Sequence, residues 1–507
     1  MRVSPGRLFF AAAGLTLVFR FWLAAALPVT GDEAYFIWWG KVPDWGFYDH
    51  PPLIGWWLAA LLAVSDAEWW LRLPQVVQPL LLALAVRWAW PGLFPAQADR
   101  RDWIALLVLL APANVWNVFV STDTALVYCA VLSGLAWLRA VRDDSPRWYL
   151  VAGVFLAGAV LAKYFAALLG FAYLIDVLLR RRPRAFAGLA IAYACCVPAL
   201  GLMAWWNSSH CWANYMFNFV NRHGQGNTGL GWQTPLLFFA TLAYVLTPPV
   251  LWLLFRRRRP AGAEFAQADR SLAVLAAVPL LLFAALSLFK TIGLHWVLSF
   301  VPFVLLLAAR RISPAALPKL AAFFLGFAAL HLAAIFAVSR LPLETWRSFG
   351  FHPGTVLTFE SRALVEKAAP GDALLVSDGY SNAVTLGYNL RRYVPVLGPG
   401  SGHARHDDIL TDWRRHDGAD ITVLRKTEPD AREQAGYANW FRAVATESFE
   451  HRGARFWVVR GRGFDYAAYR ATVLTEVKRR YYALPPWLPQ RGCYFCERYF
   501  SEETCTR

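Results

Sequence analysis

The sequence predicts a multi-spanning α-helical membrane protein with an extramembrane α/β domain at its C-terminal end. Of the 507 residues, 57% are hydrophobic and 17% are charged, whereas soluble globular chains carry about 25% charged residues. Apolar runs approaching the roughly 20 residues that cross a bilayer as a helix recur as far as residue 339. Beyond residue 340, charged residues become frequent and apolar runs shorten to the length of β-strands.

About eleven transmembrane helices are expected in a membrane domain that covers residues 1–340. The predicted spans are 8–27, 69–90, 103–120, 122–140, 147–162, 164–180, 185–206, 234–255, 271–289, 294–309 and 319–339. No clear small-x-small cleavage site follows the first span, so that helix is expected to remain uncleaved. The segment 53–64 is too short to cross and is interpreted as an amphipathic or re-entrant helix within the first external loop, 28–68.

Positive charge orients these spans. The net charge is +16, and much of it falls in alternate connections, at Arg100–Arg101, Arg142, Arg147, Arg180–Arg182, Arg184, Arg256–Arg259 and Arg310–Arg311. Because cytoplasmic loops carry an excess of Lys and Arg, the N-terminus is placed inside and the C-terminus outside. Topology thus explains the charge, and nucleic acid is not an expected partner. The predicted location is a plasma membrane, as in a bacterial inner membrane, with the C-terminus in the periplasm.

The same orientation places every unusual polar residue of the membrane domain on the outer face. These residues are Asp32, Glu33, Asp49 and His50 in the first external loop, Asp123 in VSTDTAL, Lys163 and Tyr164 in LAKYF, Arg222 in a second outer loop, and Lys290 and His295 in FKTIGLHWVL. Ionisable groups beside a bilayer are costly to desolvate unless they are paired or used. We therefore interpret the outer face as a candidate active site.

Carboxylates together with cations at this depth suit transfer from a lipid-linked phosphate sugar. Attack on the anomeric carbon needs a base for the acceptor's proton, for which Asp32 or Glu33 is suitable. Cations must hold the leaving phosphate, and the candidates are Lys163, Lys290, His50, His295 and Arg222. No Walker loop or GxGxxG motif opens a βαβ unit, so a lipid-borne donor is favoured over a nucleotide sugar.

Several motifs, in this order, resemble those of the GT-C glycosyltransferases of the protein O-mannosyltransferase and aminoarabinose transferase type. They are D-E-A-Y at 32–35, Y-D-H-P-P-L at 48–53, T-D-T-A-L at 122–126, L-A-K-Y at 161–164 and H-W at 295–296. The resemblance covers about residues 1–310. It implies a GT-C fold and an inverting transfer from a polyprenyl-phosphate sugar at the outer membrane face.

The resemblance also suggests roles for individual residues. The aspartate of the family's first loop is considered the base or acceptor-orienting residue, which corresponds to Asp32. Aminoarabinose transferases have a lysine before the paired prolines, where this chain has His50, which is only partly protonated near neutral pH. The predicted catalytic residues are Asp32, Glu33 and Asp123; the predicted donor-phosphate and substrate-binding residues are Asp49, His50, Lys163, Tyr164, Arg222, Lys290 and His295. No cofactor or metal is expected, although carboxylates are able to bind a divalent cation.

Structural interpretations compete with these roles. Asp32 and Glu33 suit the capping of a helix, and Asp123 suits an N-cap beside Ser121. Lys163 and Lys290 suit interfacial lysines that extend to headgroups. Two further functions also stay open. One is a lipid-linked glycan polymerase or ligase with a diphosphate donor, and the other is a transporter or flippase of an anionic lipid.

Residues 341–507 are predicted to form an outer α/β domain. Its apolar runs at 372–378, 421–426 and 455–461 are interpreted as strands, and 431–447 and 464–480 as helix-like stretches. Cys493-x-x-Cys496 with Cys505 suggests zinc only weakly, because no second ligand pair is near. On an oxidising face, a disulfide among these three cysteines is favoured, which leaves one thiol unpaired. The acceptor, whether lipid, glycan or protein, is not determined by the sequence.

Overall fold

The computed structural model describes residues 4–221, 231–255, 266–399 and 405–501. The membrane part consists of helices, which are α1 (Pro5–Ala26), α2 (Gly31–Lys41), α3 (Leu53–Leu62), α4 (Glu68–Leu71), α5 (Leu73–Leu93), α6 (Arg101–Leu109), α7 (Pro112–Trp116), α8 (Thr122–Asp143), α9 (Pro146–Ala162), α10 (Ala166–Arg180), α11 (Pro183–Ser209), α12 (Ala213–Tyr215), α13 (Gln233–Leu246), α14 (Pro248–Phe255), α15 (Ala266–Ser287), α16 (Val301–Arg311) and α17 (Leu317–Val338).

Six of the described helices are long and apolar enough to cross a membrane, or seven if the bent pair α13 and α14 is one span. The expected count of eleven is therefore not confirmed. Prolines account for part of the difference. Residues 103–120 divide into α6 and α7 at Pro112, and residues 234–255 bend by 97° where Pro248 begins α14, since proline cannot continue a preceding helix. The short apolar helix α3 lies within residues 28–68 and is too short to count among these spans.

Helix α8 is the innermost long helix of this part. Of its most apolar window, 83% is buried inside the protein, against 17% for the helix that ends at Val338. Its side chains join one apolar cluster with those of α5, α6, α9, α15 and α16. Because α8 is enclosed, the groups at its first turn are held at the meeting point of several helix ends.

The C-terminal domain contains a four-stranded sheet of β1 (Leu374–Ser377), β2 (Ile421–Arg425), β3 (Phe441–His451) and β4 (Ala454–Phe464), in the order β1-β2-β4-β3. Strands β1 and β2 are parallel, and the other neighbours are antiparallel. The accompanying helices are α18 (His352–Ala368), α19 (Tyr380–Leu390), α20 (Asp407–Leu410), α21 (Ala431–Trp440), α22 (Tyr466–Tyr469), α23 (Thr475–Tyr481) and α24 (Tyr494–Tyr499).

All three predicted strands are present, but the helix-like interpretation of 431–447 is wrong beyond Trp440, because β3 begins at Phe441. Strand β3 lies at the sheet edge, and its residues are mostly exposed. It therefore lacks the alternation of apolar and polar residues that marks a half-buried strand. The other helix-like stretch, 464–480, holds α22, a π-helical turn and α23.

A disulfide joins the C-terminal tail to the segment after α11. Cys493 pairs with Cys211, and their Cα atoms are 4.4 Å apart. The expectation that Cys493 pairs within the C-terminal group is therefore wrong. Cys496 is also disulfide-bonded, and Cys505 lies outside the described residues, as do Arg222 and Arg256–Arg259. The partner of Cys493 is 282 positions away in the chain, too far for spacing to indicate it.

Candidate functional site

The first turn of α2 places Asp32 and Glu33 in different surroundings. Thr30 is the N-cap: its hydroxyl accepts from the Glu33 backbone N–H at 3.4 Å, and Glu33 Oε2 accepts from the Thr30 N–H at 3.1 Å. This is the reciprocal capping box that a threonine and a glutamate three residues later form. Glu33 thus caps the helix, and its side chain turns inward, while the adjacent Asp32 is exposed.

Glu33 is also half of a buried ion pair. Arg72 Nε donates to Glu33 Oε1 at 2.8 Å and Arg72 Nη2 donates to Glu33 Oε2 at 2.7 Å, with both side chains 1% exposed. The backbone N–H of Val120 donates to Glu33 Oε1 at 3.1 Å. These contacts occupy both carboxylate oxygens, so Glu33 ties α2 to the start of α5 and to the segment before α8.

Asp32, by contrast, is open to a substrate. Within the described ranges its carboxylate enters no ion pair. Its hydrogen-bond contact is with Tyr380, the first residue of α19 in the C-terminal domain, whose Oη lies 3.5 Å from Asp32 Oδ1. An exposed carboxylate of this kind is accessible to an acceptor group.

Asp49 and His50 lie in the loop between α2 and α3. Asp49 is buried, and its carboxylate lies 3.3 Å from His50 Nδ1, 3.2 Å from Arg405 Nη1 and 3.3 Å from the Tyr35 hydroxyl, which donates to it. Burial alone would raise the pKa of the Asp49 carboxyl, but His50, Arg405 and His406 lower that pKa to about 2. Asp49 is therefore an ionised anchor for cations around it.

Asp123, Lys163 and His295 form a second group, here called the Asp123 cluster. Lys163 Nζ donates to Asp123 Oδ2 at 2.7 Å, and His295 Nε2 lies 3.9 Å from the same oxygen. Ser121, not Asp123, is the N-cap of α8. Among the described residues, the buried Asp123 Oδ1 has no hydrogen-bond partner, and such an atom is rare unless something binds it.

Local backbone geometry explains how the Asp123 cluster assembles. Lys163 is the C-cap of α9, where the extended backbone breaks the chain before α10. His295 lies on a 3₁₀ turn, Leu294–Val297, whose Trp296 ring packs on Phe165 with centroids 4.6 Å apart. The start of α8, the end of α9 and this turn therefore meet at one place.

The two groups belong to one electrostatic site. Partial burial lowers the pKa of His295, and Asp123, Lys163, Asp32 and His50 lie close enough for their charges to act on it as well. The structure thus brings together side chains from positions 32, 50, 123, 163 and 295 at the end of the helical part that faces the C-terminal domain.

The remaining predicted residues lie around this site. The Tyr164 hydroxyl donates to Asn214 Oδ1, and Asn214 Nδ2 donates to the Phe47 carbonyl at 2.7 Å. Tyr164 therefore supports the first loop. Lys290 is half-buried in the turn after α15, five positions before His295. Arg222 lies outside the described residues.

Several residues in or beside the site were not found from the sequence, and they are Arg72, Asn214, Asn218, Tyr380 and Arg405. Asn218 Nδ2 donates to the Asp49 carbonyl at 2.9 Å, and Arg405 pairs with the Asp49 carboxylate. No motif surrounds these positions, and each reaches its partner only through the tertiary fold. Arg405 and Asp49 are 356 positions apart.

No group of three or more His, Cys, Asp or Glu side chains in the described part of the chain is arranged to hold a metal ion. Transfer without a metal stays a prediction. A cavity of about 530 Å³, lined in part by Tyr393, Thr411, Arg414 and Arg498, lies in the C-terminal domain and includes none of the predicted site residues.

Known proteins share both sequence and fold with this chain. Residues 49–206 match the family model described as dolichyl-phosphate-mannose-protein mannosyltransferase. The lipid A galacturonosyltransferase RgtD of Rhizobium johnstonii is 28% identical over 250 residues, which are 45% of this chain and 49% of the relative. The match thus spans about half the length of that curated relative.

Two crystal structures of ArnT from Cupriavidus metallidurans resemble the chain over most of its length. The structure bound to undecaprenyl phosphate has a TM-score of 0.59 at 16% identity, and the apo structure has 0.58 at 17%. Each covers 89% of this chain and 97% of the ArnT chain.

These comparisons confirm the predicted fold class, a multi-spanning helical membrane protein of the GT-C type with a small C-terminal sheet domain. They also confirm the resemblance to the protein O-mannosyltransferase and aminoarabinose transferase type. The family match includes Asp49, His50, Asp123, Lys163 and Tyr164. Asp32, Glu33 and His295 fall outside the matched residues.

Proposed function

We propose that the protein is an inverting glycosyltransferase that moves a sugar from a polyprenyl-phosphate donor to an acceptor on the periplasmic face of a bacterial inner membrane. The observation that carries this proposal is the exposed carboxylate of Asp32, which enters no ion pair within the described ranges and whose charge acts on His295 of the Asp123 cluster. RgtD and the mannosyltransferase family bear names that describe sugar transfer. The donor class is supported by the ArnT structure that holds undecaprenyl phosphate.

In the proposed reaction, Asp32 takes the proton of an acceptor hydroxyl or amine as that atom attacks the anomeric carbon. A new bond forms to the anomeric carbon, and the bond from that carbon to the phosphate oxygen breaks. The electron pair stays on the phosphate, which leaves as polyprenyl phosphate. Attack opposite the leaving group inverts the anomeric configuration.

Phosphate stabilisation is assigned to the cationic side of the site. Lys163 is buried and pairs with Asp123, His295 Nε2 lies 3.9 Å from the same carboxylate, and His50 lies beside Asp49. Lys290 lies five positions before His295 in the chain. Negative charge that develops on the departing phosphate is stabilised most by cations already in place. Glu33 positions α2 for this chemistry, because its oxygens are occupied by Arg72 and Thr30.

The test of the base is Asp32→Asn, with Asp66→Asn as the matched control. Asp66 is 61% exposed and pairs at 3.4 Å with Arg391, which is 73% exposed. Release of polyprenyl phosphate is measured in detergent with undecaprenyl-phosphate sugars, including pentosyl and uronosyl donors. We expect Asp32→Asn to lower turnover by about a hundredfold or more, with thermal stability unchanged. A normally folded Asp32→Asn enzyme that turns over like the parent contradicts the assignment.

The donor class has its own test. Mass spectrometry of lipid that copurifies with the protein is expected to find a polyprenyl monophosphate or its glycoside. Turnover with diphosphate donors but not monophosphate donors would instead indicate a glycan polymerase or ligase. Binding of the lipid with no glycosidic product from any donor would favour transport.

A further inference from the structure

The C-terminal domain packs closely against the backbone of the first external loop. A Cβ atom added to Gly31, the first residue of α2, would lie 3.1 Å from the Ser381 carbonyl oxygen and 3.2 Å from Thr385 Oγ1. Such distances are tighter than ordinary contacts between side-chain atoms, so Gly31 allows α19 to pack on the turn that carries Asp32. The first turn of α2 and the N-terminal part of α19 are therefore in direct contact.

Arg405 is the charged centre of this contact. Its guanidinium lies 4.0 Å from the centroid of the Tyr380 ring and 5.2 Å from that of Phe217. Its Nη1 is 3.2 Å from Asp49 Oδ2. A guanidinium over an aromatic face is attracted by the ring quadrupole, and more strongly when water is excluded. Among the described residues, Arg405 Nε is buried without a hydrogen-bond partner.

Tyr380 connects this arginine to the proposed base. Its ring lies edge-on to Tyr35, with centroids 5.3 Å apart, and its hydroxyl is 3.5 Å from Asp32 Oδ1. Tyr35 in turn donates to Asp49 at 3.3 Å and accepts from the His406 backbone N–H at 3.3 Å. The path Asp49, Arg405, Tyr380, Asp32 therefore crosses twice between the membrane part and the C-terminal domain.

We infer that the C-terminal domain supplies two positioning residues to the active site, Arg405, which fixes the Tyr380 ring against Asp49, and Tyr380, which orients the Asp32 carboxylate. Asp32 is exposed, so without this contact its carboxylate would sample several rotamers. A distance of 3.5 Å is at the long end for an O–H···O contact, and such contacts often tighten when substrate binds. The domain is thus part of the catalytic machinery. This role deepens the proposed function and rests on it.

Loss of a positioning residue should lower turnover without weakening the binding of the donor lipid. Tyr380→Phe keeps the ring that packs on Arg405 and Tyr35 and removes only the hydroxyl. We expect turnover to fall about tenfold, as for loss of one hydrogen bond to a charged group, while the dissociation constant for undecaprenyl phosphate stays within a factor of about two. Arg405→Met is expected to lower turnover similarly, and Arg405→Lys to restore part of it, since an ammonium also binds an aromatic face.

Two variants on the same domain serve as controls. Tyr466→Phe removes a half-buried tyrosine hydroxyl near the sheet, and Arg455→Lys alters an arginine that is 58% exposed and pairs with the exposed Glu450. Both are expected to retain parental turnover. Equal turnover in Tyr380→Phe and the parent, or equal weakening of turnover and lipid binding, would overturn the inference.

A second readout needs no sugar donor. Asp32 is labelled with a water-soluble carbodiimide and glycine ethyl ester, and its labelling is compared by mass spectrometry with that of Glu450, which is 68% exposed. Tyr380→Phe and Arg405→Met are expected to change the ratio of Asp32 to Glu450 labelling by about threefold or more, because a freed carboxylate is more accessible. An unchanged ratio overturns the inference. If the two variants change the labelling ratio but the parent protein transfers no sugar from any donor, the proposed function alone is overturned.

Discussion

At the residue scale, neighbouring carboxylates in one helical turn have opposite environments. Asp32 and Glu33 are adjacent in the chain, yet the helix points one outward and the other inward. The sequence can identify both as candidate bases and as candidate caps, but it cannot separate them. In the structure Glu33 is distinguished by its ion pair with Arg72, which is 39 positions away and equally buried.

The stabilities of the variants Glu33→Gln and Asp32→Asn should distinguish these roles. Glu33→Gln leaves the Arg72 charge buried without its counter-charge, which typically costs about 3–5 kcal/mol. We expect this variant to lose stability in thermal unfolding followed in detergent, whereas Asp32→Asn should unfold at the parental temperature. Glu33→Gln unfolding like the parent would show that the Arg72 pair does not hold the loop.

At the element scale, helices that cross closely depend on glycine. A Cβ atom on Gly40 of α2 would lie 2.8 Å from Leu58 Cβ and 2.9 Å from the Leu58 carbonyl carbon of α3. These two short helices pack against each other in the first loop, and their separation determines the positions of Asp49 and His50, which lie in the connection between them. In the sequence, Gly40 is a glycine near a helix end, and no pattern there indicates the close crossing of the two helices.

Gly40→Ala is therefore expected to force α2 and α3 apart. Overpacking of this kind typically costs about 1–3 kcal/mol, and turnover should fall with it because Asp49 moves. Gly14→Ala in α1 is the control, since a Cβ there meets nothing within 4 Å and alanine favours a helix by about 1 kcal/mol. Thermal unfolding of both variants in the same detergent checks the prediction. Equal stability of the two would contradict it.

The elements themselves were predictable where one physical signal dominates. Long apolar runs such as Pro183–Ser209 indicated helices, and the runs at 372–378, 421–426 and 455–461 indicated strands. Predictions failed where a proline interrupts an apolar run, as at Pro112 and at the 97° bend before Pro248, and in the exposed edge strand β3. In each case the composition of the segment was compatible with more than one structure.

At the scale of the whole molecule, distant segments enclose the first loop from two sides. Arg405 and Tyr380 contact it from the sheet domain. Asn214 and Asn218 hold its backbone carbonyls from the segment after α11. The C-terminal tail secures that segment: the Arg491 N–H donates to the Ser208 carbonyl at 2.7 Å, and Trp212 Nε1 donates to the Pro489 carbonyl at 2.9 Å. Charge counting placed the polar clusters on one face, but it could not indicate these cross-links.

The Cys211–Cys493 disulfide closes this arrangement, and its removal tests whether the tail supports the site. The double variant Cys211→Ser and Cys493→Ser is expected to lose about 2–4 kcal/mol of stability, typical for a bridge that restrains a long loop. Trypsin should then cleave at Arg491 faster, because the tail is released from the segment that carries Asn214. Cys195→Ser, at a free cysteine, is the control for loss of a thiol. If the double variant resists trypsin and turns over like the parent, the hydrogen bonds to Ser208 and Pro489 hold the tail without the disulfide.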